Sequence, residues 1–524
     1  MQHILRYKKN YLLRIIIPSY PRFNVYSFLA HKTTALGPVC VATSAREVEN
    51  WQVEIIDENN FRNRHLRDSS GNVNHRLLQQ MRPADVVGFY AGLTCTVPRI
   101  YSLARFYKQR GVITLAGGQH FVEETIPEAL SSGIDCVIRG EAEITIKEVL
   151  RAFLKGGNFY SIKGLAFKEG NRIIYTPPRP PIQDLDSLAL PDFTLLREAR
   201  MSFFPVGRVR GCGMNCEFCT VKGKPRYASA EKLLAQVDNL VRTMNAKEFF
   251  IVDDLFGQDH GESLRLCRLL EEYQKSRGIH LRFTVQIRLD KARDEELLKA
   301  MRQANIGVVT IGFESPIDQE LKAMNKQLNS KDILSFVRVF QKYGFFIHGM
   351  FIFGYPAKEG VQFQMSVEER IGYFRDFIKK AKIDTIQVVL PVPLPGTQLR
   401  QRLLHQGRVY PLSVLGWQYY DSAFPLFEPD YPLSPEEMQL AIRRIMGNFY
   451  HIRYLFMFLL NLASVVGLPF YFKRIKSGWR RWSRNFRNYI FRIIGQRLIR
   501  SWTAQVYKEL FWEKLQKAKS SLTS

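Results

Sequence analysis

"FFPVGRVRGCGMNCEFCT", residues 203–220, runs from an extended stretch straight into three cysteines within eight positions, Cys212, Cys216 and Cys219. No fourth cysteine or histidine stands near them. Structural zinc wants four ligands, usually as two separated pairs, so the trio does not suit it. Iron–sulfur clusters also use thiolates, and a four-iron cluster held by three cysteines keeps one iron open to another ligand. The missing fourth cysteine then reads as a coordination site.

Downstream, "EFFIVD", "RFTVQIR", "GVVTIGF", "HGMFIFG" and "TIQVVLP" alternate with helical stretches near 229–243, 261–277, 293–304, 331–343 and 367–382. With the opening strand these make six βα units in a row, which predicts a partial (βα)6 barrel. Chemistry in such barrels gathers on the loops after the strands, and the trio follows the first. Upstream, "LLRIIIP", "WQVEIID", "DVVGFY", "VITLAGG" and "DCVIRG" recur with helical segments between several of them. That is the α/β pattern of a doubly wound, Rossmann-like sheet. Its strands end in "GFYAGLTCT" (88–96), "AGGQH" (116–120) and "RGEAE" (139–143), whose glycines either admit a flat or phosphorylated ligand or only make tight turns. The proline-rich text between Lys168 and Asp192 reads as an extended linker. The expected division is 1–165, a linker over 166–198, the barrel over 199–410 and a helical, basic region over 411–524.

The chain has 524 residues and is 46% hydrophobic, enough to bury large cores in about three domains. Its remaining cysteines, Cys40, Cys95, Cys136 and Cys267, are isolated and are assigned to packing. Nothing resembles a disulfide framework or a signal peptide of the usual layout, so a reducing cytosol is expected. His348 reads as a structural histidine and His120 as a ligand candidate.

The net charge of +26 is concentrated at the end. From Arg443 onward 17 Lys and Arg face only Glu509 and Glu513, which carries about +15 of the total. Within this tail, "YLFMFLLNLASVVGLPFYF" (454–472) holds no charge and is just long enough to cross a bilayer. Gly467 and Pro469 interrupt it, which leaves crossing, lying in the interface and packing on the barrel all open. Lys473 to Arg500 then carries ten basic residues and no acidic one. Trp479, Trp482, Phe486, Tyr489, Ile490, Ile493 and Trp502 recur there at near-helical spacing, as in a basic amphipathic surface helix suited to anionic headgroups. The expected location is cytoplasmic, peripheral to the cytoplasmic face of a membrane.

The Cys-x3-Cys-x2-Cys spacing, with Phe218 before the last cysteine and a first barrel strand before the motif, resembles the signature of the radical S-adenosylmethionine enzymes. The resemblance implies that Cys212, Cys216 and Cys219 hold a 4Fe-4S cluster whose open iron chelates S-adenosylmethionine. An electron from an external donor such as flavodoxin or ferredoxin would then yield a 5'-deoxyadenosyl radical. It further implies Asp253 and Asp254, in place of the commoner Gly-Gly-Glu, for the methionine amine. Gln286 and Arg288 follow for the carboxylate side, Glu314 and Ser315 for ribose, and Gly349, Ile352 and Gly354 for adenine. Residues 87–143 resemble the cobalamin-binding domain found before such barrels. By that match Thr94, Thr96, Gly117, Gly118, His120, Gly140 and Glu141 line the corrin or its nucleotide tail. Asp57-Glu58-Asn59-Asn60 stands where the fuller pattern has a histidine, so no lower axial ligand is offered.

The resemblance implies methyl transfer to an unactivated carbon, and the tail points to a lipid or lipid-linked substrate. Cyclisation, rearrangement or carbon–carbon coupling without cobalamin methyl transfer is the first alternative. Modification of transfer RNA is another, against which Cys40, Cys95 and Cys136 show no second cluster grouping, so nucleic acid is not the expected partner. A non-catalytic cluster or cobalamin redox sensor is the last.

Overall fold

Seven consecutive residues, Tyr11–Ile17 (β1), are buried, although one of them is the arginine Arg14. A strand covered on both faces belongs in the middle of a parallel sheet with helices on each side. β1 pairs in parallel with β2 (Trp51–Asp57) and β3 (Val86–Tyr90), and β4 (Ile113–Gly117) and β5 (Cys136–Ile138) extend the sheet in the same direction. The Arg14 guanidinium donates to Glu54 at 2.7 Å and to the Arg82 carbonyl at 2.6 Å, so the buried charge is paired. The structure, a computed structural model, describes residues 8–24, 26–361, 363–466 and 475–522.

The stretch 166–198, expected as linker, is ordered differently. β6 (Leu165–Glu169) and β7 (Arg172–Tyr175) form an antiparallel hairpin that completes a seven-stranded sheet of order β2-β1-β3-β4-β5-β6-β7. Gly170 and Asn171 make its two-residue turn, with Gly170 at φ +54, which matches strand twist and favours glycine.

The second sheet is entirely parallel, in the order β15-β14-β13-β12-β11-β8. β8 is Phe204–Val206, and a short antiparallel pair, β9 (Val209–Arg210) and β10 (Arg226–Tyr227), follows. The barrel continues with β11 (Glu248–Phe256), β12 (Arg282–Ile287), β13 (Ile306–Glu314), β14 (Phe346–Ile352) and β15 (Thr385–Val389). Helices Ala230–Met244, His260–Arg277, Glu295–Gln303, Ser330–Lys342 and Val367–Ala381 join the strands within a residue or two of where periodicity put them. Because β8 and β15 do not pair, the barrel is partial. Side chains alternate along β11: Phe249, Ile251 and Asp253 are buried toward the helices, and Phe250, Val252 and Asp254 face the interior.

Helices Pro435–Phe449, Arg453–Val466, Ile475–Val506 and Phe511–Leu522 complete the C-terminal region. The uncharged stretch 454–472 is helical as far as Val466. Residues 467–474, Gly467 and Pro469 among them, and the side chain of Trp479 lie outside the described residues. No helix among the described residues is long and apolar enough to cross a membrane.

Replacing Arg14 by Met leaves buried Glu54 without its buried partner and with only the half-exposed Arg82, at 2.9 Å, in close contact. The expected cost is about 3–5 kcal/mol, read as a lower urea midpoint, with most of it recovered in the Arg14→Met/Glu54→Leu double variant.

Candidate active site at the domain junction

Arg210 on β9 and Arg226 on β10 sit directly opposite each other and close the base of the loop that carries the cysteines. Two like charges in that position repel. Glu141, at the end of β5 in the first domain, accepts from both, at 3.1 Å from Arg210 and 2.8 Å from Arg226. Its other oxygen accepts from the Ile182 N–H at 2.7 Å. Burial raises the Glu141 carboxyl, but the bonds from Arg226 and Ile182 and the charge of Arg210 outweigh it, holding it below the usual range. At the loop's far side Glu217 accepts from Arg402 at 2.6 and 3.0 Å and from the Tyr355 hydroxyl at 2.7 Å. Phe218 packs edge-on against Tyr355 and joins an apolar cluster with Ile352 and Met324.

Between these anchors the three thiols are half-buried. Burial pushes Cys216 and Cys219 up; Cys219 also feels the charge of both other cysteines, and Cys216 that of Cys212. The Val221 N–H donates to Cys219 Sγ at 3.4 Å, and Gln258 donates to the Cys212 carbonyl at 2.6 Å. Among the described residues no three His, Cys, Asp or Glu side chains gather on one point as for a single ion. A 4Fe-4S cluster asks for something else, three thiolates on one pinned loop, each holding a different iron, and the donor set fits it.

The residues expected around S-adenosylmethionine divide by the direction they face. Asp254 faces the interior and accepts from the Gly211 N–H at 2.6 Å, beside Cys212. Asp253 faces the opposite way: its Oδ1 takes the N–H groups of Arg208 and Val209, and its Oδ2 is buried without a partner. Gln286 is exposed to the interior. Arg288 is held by Asp290 and touches Met214 in the cysteine loop. Glu314 adopts a left-handed φ of +61, rare for its type, and its carboxylate accepts from Lys326 at 2.7 Å. Lys326, Glu314 and Arg288 all act electrostatically on Cys216, so they surround one side of the trio. Ser315 is fully buried, its hydroxyl donating to Glu320. A Cβ on Gly349 would meet Phe351, Phe313 and Ile383, and one on Gly354 would meet Met438 at 2.7 Å. Their smallness therefore serves protein packing.

A cavity of about 490 Å3 opens where the strand ends of the first sheet meet the barrel. Gly117, Gly118, Gly140 and Glu141 line it from one side, and Gly207–Gly211 with Asp254 line it from the other. A Cβ on Gly118 would lie 2.6 Å from the Ala91 carbonyl oxygen, so only glycine permits this turn. Apolar walls with glycine edges at the carboxyl ends of parallel strands suit a large flat cofactor such as cobalamin. Thr94, Thr96 and His120 lie outside the lining. His120 is buried edge-on against Trp417, and burial pushes it down to about 3. Cys40, assigned to packing, instead lines the cavity.

Across the barrel interior one register row places Gln286, Thr310, His348 and Thr385 side by side on β12 to β15. His348 Nδ1 lies 3.0 Å from the Thr385 hydroxyl, and burial pushes the imidazole down to about 4, leaving it neutral at pH 7. It faces the lumen, with the Thr385 hydroxyl as its partner. One row on, Gln387 donates to the Tyr26 hydroxyl at 2.9 Å, so the first domain reaches into the same space. Sequence reasoning missed Lys326, Gln258, Glu217 and Arg402. Only Glu217, a charge inside the cysteine motif, carried a signal.

The family description "Radical SAM superfamily" matches residues 207–368, and "B12 binding domain" matches residues 29–150. The chain is thus a radical S-adenosylmethionine enzyme with an N-terminal B12-binding domain, and its cofactors are a 4Fe-4S cluster, S-adenosylmethionine and cobalamin. An uncharacterised methyltransferase of Pyrococcus horikoshii is 27% identical over 389 residues, covering 72% of this chain and 80% of that protein. The hopanoid C-2 methylase of Rhodopseudomonas palustris is 27% identical over 231 residues, covering 43% of this chain and 42% of the methylase. The cobalamin-dependent S-adenosylmethionine radical enzyme OxsB, solved with aqua-cobalamin and S-adenosylmethionine, shares the fold at a TM-score of 0.64. It is 14% identical, over 98% of this chain and 84% of that one.

Two expectations follow. Glu141→Gln and Glu217→Ala should each leave far-UV circular dichroism unchanged yet weaken iron retention by about 10- to 100-fold against a chelator, since both support the ligand loop from outside. Burial raises Asp253 from 3.8 to about 6. The unfolded chain loses this proton first, so stability falls as pH rises through that interval. Asp253→Asn should remove that part of the pH dependence in urea titrations.

Proposed function

We propose that this enzyme transfers a methyl group to an unactivated carbon of a lipid or lipid-linked substrate. When bound, the cluster with S-adenosylmethionine supplies the 5'-deoxyadenosyl radical and cobalamin carries the methyl group. The observation that carries the reading is the shared cavity: Gly140 and Glu141 from the B12-type domain and Gly211, one residue before Cys212, line the same space. A methyl carrier and a radical source have to serve the same substrate carbon, and this arrangement brings their sites together.

On the chain's side, Cys212, Cys216 and Cys219 hold the cluster. Arg288, with Lys326 beside Glu314, provides charge for the amino and carboxylate ends of S-adenosylmethionine, and Asp254 orients the backbone at Gly211. Gln286, His348 and Gln387 face the lumen and orient the substrate's polar part. An external one-electron donor such as flavodoxin or ferredoxin completes the cycle. Similarity to the Pyrococcus methyltransferase and the hopanoid methylase supports methyl transfer, and the second supports a lipid.

The test is anaerobic. Protein produced with cobalamin is analysed for iron, sulfide and corrin, then given dithionite, methyl-labelled S-adenosylmethionine and total lipid extract. Stoichiometric corrin, lipid-stimulated 5'-deoxyadenosine and label in a lipid are expected, all but the corrin lost in Cys219→Ala. A cluster without corrin, or 5'-deoxyadenosine with no label transferred, overturns methyl transfer in favour of cyclisation or rearrangement.

A further inference from the structure

Helix Arg453–Val466 has two unlike faces. On one, Tyr454 stacks on Tyr489 with ring centroids 6.1 Å apart and Phe458 packs on Phe486 at 5.2 Å, which fixes the helix against Ile475–Val506. On the other, Leu455, Phe456, Met457, Leu459, Leu460 and Leu462 are each at least 40% exposed. So many large apolar side chains exposed on one short helix mark an interaction surface.

A second cavity, of about 840 Å3, opens at the start of that helix, between it and helices Val367–Ala381, Pro435–Phe449 and Ile475–Val506. Five cations line it, Arg375, Lys379, Lys382, Arg453 and Arg492, against the carboxylates of Asp376 and Asp384. Asp384 is turned inward, accepting from the Ile347 N–H at 2.9 Å and from Asn488 at 2.8 Å. None of the five cations is ion-paired with a carboxylate among the described residues. Arg492 is oriented by Phe449 and Tyr454, each ring 4.4 Å from its guanidinium carbon, and its Nε is buried without a partner. With five cations to two carboxylates in its lining, a crevice of this size suits phosphate.

We propose that this end of the molecule docks on an anionic bilayer, with the apolar face of Arg453–Val466 entering the headgroup boundary and the crevice taking a lipid phosphate. The geometry agrees with lying in the surface. The helix begins at the crevice with Arg453, so its exposed apolar residues and the cationic lining lie side by side. Charge complementarity selects the partner, because the sequence from Lys473 to Arg500 holds ten cations, Arg492 of the crevice among them, and no carboxylate. A nucleic acid would meet the charge but leave the apolar face unexplained. The proposal deepens the lipid-substrate reading and rests on it for its purpose, but vesicle binding needs no turnover, so either fails without the other.

The test is flotation of the full, cluster-loaded chain with vesicles of phosphatidylcholine alone, or of equal parts phosphatidylcholine and phosphatidylglycerol. Binding is expected to the anionic vesicles and to weaken in high salt. Phe456→Asp/Leu460→Asp, at exposed positions, should lower partition by about tenfold or more, and Arg375→Glu/Lys379→Glu should remove the preference for phosphatidylglycerol. Equal binding to both vesicles, no binding to either, or unchanged partition of Phe456→Asp/Leu460→Asp overturns the proposal. Self-association of the free chain that Phe456→Asp/Leu460→Asp abolishes, with no vesicle binding, would assign the face to a second copy of this chain and also overturn it.

Discussion

Two arginines facing each other across a two-residue ladder would not stay there unaided. Arg210 and Arg226 do so because the Glu141 carboxylate, brought by the other domain, lies between them, and Glu143 of the same domain pairs with Arg210 at 2.5 Å. The strands they occupy close the loop on which all three cluster thiols are carried. Docking of the B12-type domain and closure of the cluster loop are therefore one electrostatic event. The same carboxylate lines the cavity between the domains, so the residue that joins them also borders that space.

The second dependence is strand alternation in an open barrel. Asp253 and Asp254 are adjacent in sequence and opposite in role. Asp254 points into the barrel beside the cysteine loop, whereas Asp253 points outward and ties β8 and β9 to β11 through two backbone amides. Glu314 adds strain on the inner side, where a left-handed carboxylate residue costs on the order of 1–3 kcal/mol. Lys326 offsets it with an ion pair. Burial pulls the Lys326 ammonium down, but the Glu314 carboxylate more than compensates, so it stays charged beside Cys216.

Much of the architecture was legible because it is local. Strand runs, helix periods and the placement of the trio after a first barrel strand follow from apolar spacing and cysteine spacing alone. The hairpin of β6 and β7 was readable too, from Gly170-Asn171 between two extended runs, but the surrounding prolines concealed it. Candidate site residues fared differently. Position after a strand picked out Asp254, Gln286, Arg288 and Glu314, which lie on the inner side, yet the same rule picked Ser315, Gly349 and Gly354, whose partners are Glu320, Phe313 and Met438.

By itself, the sequence determined which elements form, that three thiolates gather without a fourth, and that the positive charge collects in the tail, since each depends on neighbours along the chain. Tertiary structure alone decided which way each polar group points. Glu217 needed Arg402, Arg210 needed Glu141 and Lys326 needed Glu314 to acquire a role. Those partners lie 12 to 185 positions away, and only packing brings such charges within reach of one another.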